Sequence, residues 1–310
     1  MSAHHAAALR SLLFVPADNE RLLSRAQLRG ADGLILDLED AVPASGKERA
    51  RRALSTHIAR LAAEVQYLVV RTGSAREDWE KDLRAAVRPG LRAVMLPKTE
   101  CPGQLTEVAA FLDALERERG LPVGSVGLIA LIESPAALFA LAALAEASPR
   151  VCALALGSED FAQSLGIAPT PLVLTEPCRW IALAASAAGI GSFALPLSLA
   201  VLDRPEALAH AARQARELGV TGALCVHPAQ VAAVNAAYAP GDAEIAWARR
   251  VADAWDAACG DGGGGGPGVI RVDGLMVDAP VLRRARALLL SLPPADAAGH
   301  TVTIDHGGDR

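Results

Sequence analysis

Short apolar segments alternate with longer amphipathic segments along most of the chain. The apolar segments are nearly continuous in their hydrophobicity, which is typical of parallel strands that are buried on both faces. Several of the amphipathic segments end in glycine, where a helix cap belongs. The pattern predicts helices between eight strands at residues 12–17, 33–39, 67–73, 93–98, 126–134, 151–159, 192–198 and 222–228.

Eight strand–helix units within about 240 residues predict an α/β protein built on a TIM (β/α)8 barrel. A doubly wound open sheet is the alternative, but no GxGxxG and no phosphate-binding loop follows the first strand. After residue 240 the pattern changes to a further helix, a glycine-rich connector at 260–268, and a hairpin-like element leading into a helix. We therefore expect a barrel domain at 1–240 and a C-terminal arm at 241–310.

The chain contains one uncharged stretch, residues 181–202, that is long enough to span a bilayer. Gly189, Gly191 and Pro196 interrupt it, so a helix ending near Gly189 and a buried strand explain it better. Residues 1–20 lack the basic region and apolar core of a secretory signal. We therefore expect a cytoplasmic protein that does not cross a membrane.

Composition excludes further classes of protein. The net charge of -5 argues against a nucleic-acid binder, which usually carries a basic face. The five cysteines are widely spaced and form no CxxC pair, so neither a zinc site nor a disulfide framework is predicted. With 52% hydrophobic residues, the chain has ample material for a large core.

Charged residues follow the predicted strands at their carboxyl ends. In LILDLEDAV, residues 34–42, three carboxylates fall within four positions at the end of an apolar strand. The active site of a (β/α)8 barrel lies at this end of the strands, so these carboxylates can meet cations there. A divalent metal ion is the simplest compensating charge. The other strand ends contribute Arg71, Lys98, Glu133, Glu159, Asp160 and His227.

Each of these residues has a structural alternative when it is taken alone. Asp40 or Asp160 can cap a helix, and Lys98 can be a solvated loop residue. His227 before a proline is more typical of a turn than of a catalytic histidine. The run of five glycines is typical of a linker, because no Lys and Ser or Thr follow it in the register of a phosphate loop. Only the joint pattern indicates a site.

A series of motifs across residues 10–290 resembles the citrate lyase beta-subunit-like proteins of the HpcH/HpaI aldolase/citrate lyase superfamily, which includes malyl-, citramalyl- and citryl-coenzyme A lyases. The resemblance implies a barrel with a C-terminal lid, assembled as a homo-oligomer, either a trimer or a hexamer. The motifs that carry it are, in chain order, RSLLFVPADN, ADGLILDLEDAV, LPK, LIALIES, GSEDF, VHPAQ and VDGLMVDAP.

The resemblance also implies a Mg²⁺ site and roles for individual residues. Two carboxylate ligands leave positions of an octahedral Mg²⁺ open to water and to a 2-oxo acid, whose carbonyl the metal polarises. Arginines then stabilise an enolate, and a carboxyl group protonates it. The implied residues are Glu133 and Asp160 as metal ligands, Arg10, Arg71 and Lys98 for substrate binding, Glu39 and Asp40 beside the metal-bound waters, and Asp278 as the acid/base of the lid.

These features predict a Mg²⁺-dependent carbon–carbon lyase that cleaves a 3-hydroxyacyl-coenzyme A into an acyl-coenzyme A and a 2-oxo acid. The sequence departs from the family pattern at Gly73, Pro135, Leu195-Pro196 and Ala223, which bears on substrate identity and coenzyme A binding. Thioester hydrolysis is an alternative, because a metal-bound water is available. A further alternative is a function without catalysis by the chain alone: a barrel that binds its ligand without turnover, or a subunit of a larger lyase complex.

Overall fold

The structure, a computed structural model, describes residues 9–259 and 268–292. It divides into two compact units, residues 1–238 and 239–310. All but the last residue of the predicted glycine-rich connector, 260–268, lies outside the described residues. The first unit contains the strands β1 Ser11–Pro16, β2 Gly33–Asp37, β3 Tyr67–Arg71, β4 Ala93–Leu96, β5 Gly127–Ile132, β6 Val151–Leu156, β7 Gly191–Phe193 and β8 Ala223–Cys225.

Helices follow the strands in the first unit, and α8 illustrates how they end. Its last residue is Ala188, and Gly189 caps it in the left-handed conformation, as the sequence predicts. None of the helices in residues 9–259 and 268–292 is long and apolar enough to cross a membrane. The helices are α1 Glu20–Leu23, a 3-10 turn at Ala26–Arg29, α2 Ala44–Leu61, α3 Arg76–Ala86, α4 Pro102–Glu118, α5 Pro135–Phe139, α6 Leu141–Ala145, α7 Ser158–Ser164, α8 Pro171–Ala188, α9 Pro205–Glu217 and α10 Pro228–Tyr238.

The eight strands form a barrel. Neighbours pair in parallel from β1 to β7, and β8 pairs with β1. The last gap is closed by a parallel bridge between Phe193 and Gly222. A Cβ on Gly222 would lie 2.3 Å from the carbonyl oxygen of Leu9, so only glycine allows the backbones to approach there. The barrel confirms the predicted fold class.

Strand parity determines which residues enter the barrel. Successive strand residues face opposite sides, so Ile35 and Val69 point into the interior while Leu34 packs against the helices. Asp37 has the parity of Ile35, and Arg71 has the parity of Val69. Both charged residues therefore face the interior at the carboxyl ends of their strands.

Seven of the eight strands are shorter than the sequence predicts, β7 and β8 by the most. The second strand ends at Asp37 rather than at residue 39, and the residues that follow form a loop. The seventh ends at Phe193 and the eighth at Cys225. Pro196 follows the seventh strand and Pro228 begins α10, and proline cannot donate the backbone hydrogen bond that a central strand requires.

The second unit contains α11 Asp242–Cys259, β9 Val269–Val272, β10 Leu275–Asp278 and α12 Ala279–Leu290. The strands pair in antiparallel fashion, as the sequence predicts, and are joined by Asp273 and Gly274, which both have positive φ angles. Two such residues are typical of a type I′ hairpin turn. A small core around Val251, Val277 and Leu282 holds the helices and the hairpin together.

Candidate functional site

The carboxyl ends of the strands surround a cavity of about 390 Å³. Charged residues line one part of it, and they come from three strands and the loops that follow. Asp37 ends β2, Arg71 ends β3, and Glu133 follows β5. Asp40 belongs to the loop after β2, and Asp160 lies in the first turn of α7. The structure therefore brings together residues that are up to about 120 positions apart in the sequence.

Arg71 is the centre of an ion-pair network. Its Nε and Nη2 donate to the two carboxylate oxygens of Asp37 at 2.7 and 2.6 Å. Its Nη1 lies 2.9 Å from Glu39 and 3.3 Å from Asp40, and its guanidinium stacks over the ring of Phe14 at 4.8 Å. Burial lowers the pKa of Arg71, but the three carboxylates outweigh burial and raise it overall. Arg71 therefore offsets much of the repulsion among the clustered carboxylates.

Asp37 has a role that the sequence analysis did not assign to it. Besides binding Arg71, its side chain accepts hydrogen bonds from the backbone N–H groups of Glu39 at 2.9 Å and Ala41 at 3.2 Å. Asp37 thus fixes the loop that carries Glu39 and Asp40. Period-two parity along the strand would have identified Asp37 as an interior residue.

Glu133 is a buried carboxylate with little compensation. Its side chain is 5% exposed overall, and its Oε2 accepts a hydrogen bond from the backbone N–H of Lys98 at 2.6 Å. Burial, the largest cause, raises the pKa of Glu133 to about 8, and the charges of Glu39 and Asp160 act in the same direction. Without a further cation, the ionised form is therefore strongly disfavoured.

Two backbone features position Glu133. Lys98 has a φ of 50°, which is unusual for a residue with a side chain, and its N–H is the one that binds Glu133. Gly157 lies against the other side of the carboxylate, where a Cβ would fall 2.5 Å from Glu133 Cγ and 2.7 Å from its Oε1. The absence of a side chain at Gly157 leaves the space that Glu133 occupies.

Glu39 lies between the two cations of the site. Its carboxylate is 2.9 Å from Arg71 and 3.5 Å from the ammonium group of Lys98, which is about half exposed. Neither oxygen accepts a hydrogen bond of good geometry, although both are buried. Burial raises the pKa of Glu39 despite the opposing charge of Arg71, and Glu39 in turn raises the pKa of Lys98. Glu39 therefore retains capacity to accept a proton or a hydrogen bond.

The donor set fits a hard divalent cation. Glu133 and Asp160 line the same cavity and supply carboxylate oxygens. Among the described residues, no cluster of three or more His, Cys, Asp or Glu side chains has the arrangement of a metal site. Two carboxylates beside an open cavity leave coordination positions for water and substrate, as Mg²⁺ requires, and a closed structural site would not.

Arg10 lies outside the site, and its predicted role in substrate binding is corrected. It precedes β1, so it lies at the amino ends of the strands, and six residues at about 3.3 Å each separate it from the mouth. Its Nε and Nη2 both bind the carboxylate of Asp32, at 2.9 and 2.7 Å. Arg10 therefore joins the starts of β1 and β2 and has a structural role.

Asp278 and His227 both take part in local structure. Asp278 belongs to the second unit, and its side chain accepts a hydrogen bond from Val281 N at 3.2 Å, which caps α12. His227 lies in the turn before α10, where its Nδ1 accepts a hydrogen bond from Ala229 N at 3.2 Å. The turn at His227 agrees with the structural alternative for this residue.

The loop between β7 and α9 forms a further wall of the cavity, and the sequence analysis did not identify it. Leu199 and Ala200 of this loop line the cavity. The buried side chain of Gln230 donates to the carbonyl oxygen of Leu199 at 2.9 Å and accepts hydrogen bonds from two backbone N–H groups after β8. Ser198 donates to Glu159 at 2.6 Å. These contacts hold the loop beside the carboxylates.

A (β/α)8 barrel with buried carboxylates, an arginine and a lysine at its mouth defines an enzyme-like scaffold, and comparison with known proteins identifies the family. The HpcH/HpaI aldolase/citrate lyase family matches residues 10–228, and the chain belongs to this family. This family is enzymatic and includes lyases.

Known relatives cover nearly the whole chain. The citrate lyase subunit beta of Escherichia coli (strain K12) is 34% identical over 284 residues, which are 90% of this chain and 92% of that protein. The (3S)-malyl-CoA thioesterase of Cereibacter sphaeroides (strain ATCC 17023) is 32% identical over 290 residues, 93% of this chain and 95% of that protein. The crystal structure of CitE from Mycobacterium tuberculosis in complex with magnesium, acetoacetate and coenzyme A is 31% identical, has a TM-score of 0.72, and covers 92% of this chain and 98% of that chain.

Proposed function

We propose that this protein is a Mg²⁺-dependent carbon–carbon lyase that cleaves a 3-hydroxyacyl-coenzyme A into an acyl-coenzyme A and a 2-oxo acid. The observation that carries the proposal is the position of Glu133, a buried carboxyl group that lines the cavity together with Asp160 and whose ionisation is disfavoured by burial. A divalent cation supplies the compensation. The magnesium in the related CitE structure supports this choice of metal.

Glu133 and Asp160 would hold the metal ion. Mg²⁺ bound there would act as a Lewis acid on the keto oxygen of the 2-oxo acid. The Lys98 backbone N–H and the space left by Gly157 fix the orientation of Glu133, so the donor is positioned before the ligand arrives.

The remaining groups act on the substrate. Cleavage removes the proton of the 3-hydroxyl group, breaks the bond between C2 and C3, and leaves the electron pair as an enolate on the thioester half. Glu39, whose buried oxygens lack hydrogen-bond donors, is proposed to accept the hydroxyl proton, with Asp40 beside it. Arg71 supplies fixed positive charge as the enolate oxygen becomes negative, and the ammonium group of Lys98 binds substrate. Asp278 is proposed to protonate the enolate carbon.

Thioester hydrolysis is the second candidate activity. The 32% identity to a (3S)-malyl-CoA thioesterase favours it, and the same cavity has room for a water molecule beside the carboxylates. The two activities differ in their products, because hydrolysis releases free coenzyme A and cleavage of the carbon–carbon bond does not.

One assay separates these functions. The protein is incubated with malyl-, citramalyl- or citryl-coenzyme A and Mg²⁺, and free thiol and 2-oxo acid are followed together. We expect 2-oxo acid without thiol, which indicates lyase activity. Free thiol, with or without 2-oxo acid, would indicate hydrolysis after or instead of cleavage. Neither product with any of the three thioesters would contradict both proposals and favour a binding protein or a subunit of a larger complex.

Arg71→Lys should fold but lose about 100-fold in kcat/KM, which is the usual effect of losing an oxyanion-stabilising donor. Lysine keeps the charge but cannot form the two parallel bonds to Asp37, so its ammonium group would be misplaced. The matched control is Arg49→Lys, whose guanidinium is 69% exposed and 3.4 Å from Asp18. Full activity of Arg71→Lys in steady-state assays, with native circular dichroism, would contradict the role of Arg71.

A pair of variants separates acid/base chemistry at Asp278 from helix capping. Asp278→Ser retains a capping oxygen for Val281 N, whereas Asp278→Ala removes the cap at a cost of about 1 kcal/mol. If Asp278 protonates the enolate, both variants lose activity to a similar extent, about 100-fold or more, although only the alanine variant is less stable. If Asp278→Ser retains activity and only the less stable Asp278→Ala loses it, Asp278 acts only as a helix cap.

We further propose a cytoplasmic homo-oligomer, a trimer or a hexamer. Exposed apolar side chains on neighbouring helices support a self-association surface, because monomers rarely expose contiguous apolar patches. Phe139 on α5 is 78% exposed, while Leu172 and Leu183 on α8 are 89% and 63% exposed. Multi-angle light scattering measures the mass directly, and a monomer at micromolar concentration would contradict this assembly.

A further inference from the structure

Part of the wall of the cavity that Glu133 and Asp160 line is apolar. Five side chains form it, and they come from three strand ends and the loop between β7 and α9. Leu131 and Leu224 are its most buried members, each 2% exposed. Val226 lies at the rim and is 43% exposed. The apolar side chains that form this wall are Phe14, Leu131, Leu199, Leu224 and Val226.

The wall is held in place rather than free to adapt. Gln230 binds the backbone of Leu199 and also the backbone N–H groups of Val226 and His227, so one buried amide ties the loop to the end of β8. Leu199 packs against both the outer core and the interior of the barrel. A ligand group that enters here therefore meets a preformed apolar surface.

The charges of the site disfavour a second anionic group on the ligand. Six carboxylates lie in the cavity wall or beside it, against two cations, Arg71 and Lys98. Among the described residues that line the cavity, Arg71 is the one cation, and its guanidinium is bound to Asp37, Glu39 and Asp40. One divalent metal ion offsets part of this negative charge and can bind one carboxylate together with the adjacent keto oxygen. A second carboxylate would meet apolar side chains and repulsion.

We propose that the 2-oxo acid released at this site carries an alkyl substituent on its carbonyl carbon and that a second carboxylate at that position is rejected. This inference rests on the proposed function, since it assumes that the 2-oxo acid binds at Glu133 and Asp160. The alkyl group lies against the wall formed by Leu131, Leu199 and Val226. Each methylene that the wall covers strengthens binding by about fourfold.

Binding of two isosteric acids tests the inference without any catalytic step. Isothermal titration calorimetry in the cold, with Mg²⁺ present, compares 2-oxobutanoate with freshly dissolved oxaloacetate, which differs by a carboxylate in place of the methyl group. We expect 2-oxobutanoate to bind at least about tenfold more tightly than oxaloacetate. Oxaloacetate binding as tightly as 2-oxobutanoate would overturn the inference and leave the proposed function intact. Binding of neither acid would overturn both.

A charge introduced into the wall should change the preference. Val226→Arg places a guanidinium at the rim, where the side chain is already partly exposed. The affinity for oxaloacetate relative to that for 2-oxobutanoate should rise by about three- to fivefold. The matched control is Val123→Arg, at a valine that is 51% exposed and precedes β5, at the opposite end of the barrel. An unchanged ratio in Val226→Arg, with native melting behaviour, would contradict the position of the alkyl group. A similar change in Val123→Arg would show that overall charge, and not the wall, sets the preference.

Discussion

Glu133→Gln and Asp160→Asn should each abolish the stabilisation of the protein by Mg²⁺ and lower kcat/KM by about 10³-fold or more. Each replacement keeps the volume of the side chain and removes one anionic ligand. Of the other carboxylates that line the cavity, Asp37 and Asp40 are paired with Arg71, and Glu159 accepts a hydrogen bond from Ser198. Thermal unfolding with and without Mg²⁺ measures the effect. At a hundredfold excess over Kd, the metal should stabilise the unchanged protein by about 2.7 kcal/mol.

The control for this pair is Glu146→Gln, which removes an exposed carboxylate outside the cavity. It should leave both the response to Mg²⁺ and the activity unchanged. A Mg²⁺ response of normal size in Glu133→Gln or in Asp160→Asn would remove the residue concerned from the metal site.

The raised pKa of Glu133 also predicts a pH dependence in the absence of metal. The folded protein retains the proton of Glu133 up to about pH 8, whereas the unfolded chain loses it near pH 4.5. Between these values the folded state binds more protons, so the free energy of unfolding falls as the pH rises, by a few kcal/mol as an order of magnitude. Chemical denaturation at several pH values measures this fall, which should be smaller in Glu133→Gln and offset by Mg²⁺.

Gly157→Ala should weaken Mg²⁺ binding by about tenfold or more and lower activity in parallel. The new Cβ would lie 2.5 Å from Glu133 Cγ, so the carboxylate must move out of the position between Gly157 and the Lys98 N–H. The backbone of Gly157 is in a conformation open to alanine, with φ at -88°, so the expected effect comes from overpacking, which costs about 1–3 kcal/mol.

Gly103→Ala is the matched glycine control. Gly103 lies in α4, and the nearest neighbour that its new Cβ would meet is Cys101 Sγ at 4.0 Å. We expect this variant to be as stable as the unchanged protein or slightly more stable, since alanine favours a helix over glycine. Mg²⁺ titrations of both variants, followed by thermal unfolding, compare them directly. A normal Mg²⁺ affinity in Gly157→Ala would show that the position of Glu133 does not depend on this contact.

The sequence was sufficient to predict the barrel and the grouping of most charged residues. Alternating apolar and amphipathic segments determine the (β/α)8 order, and the order places the ends of parallel strands at one mouth. Arg71 and Glu133 were found in this way because each follows an apolar run directly, and Asp160 because it follows one after three residues. The predicted lengths of β7 and β8 were wrong because apolar residues continue past Phe193 and Cys225, where the two strands end.

Other features depend on three-dimensional contacts that no pattern contains. Gly157 is one of 27 glycines in the sequence. Its role is visible only in the structure, where the side chain of Glu133 from the neighbouring strand packs against it. Gln230 likewise acts on a loop 31 positions away. Arg10 was assigned to the substrate by resemblance, although its position before the first strand already placed it at the wrong end of a barrel. Position along the strand would have corrected Arg10, and parity would have added Asp37.

The pairing of Asp37 with Arg71 in register across β2 and β3 has an evolutionary consequence. A buried pair of this kind is part of the scaffold, because loss of either partner leaves an unpaired charge in the barrel. A descendant that had lost its activity would therefore be selected to keep both residues. Glu133 is different, since burial raises its pKa and thereby lowers the stability of the metal-free protein at neutral pH. Mutational drift in an inactive lineage would replace Glu133 early, so its presence is the better indicator of a lineage still under selection for chemistry.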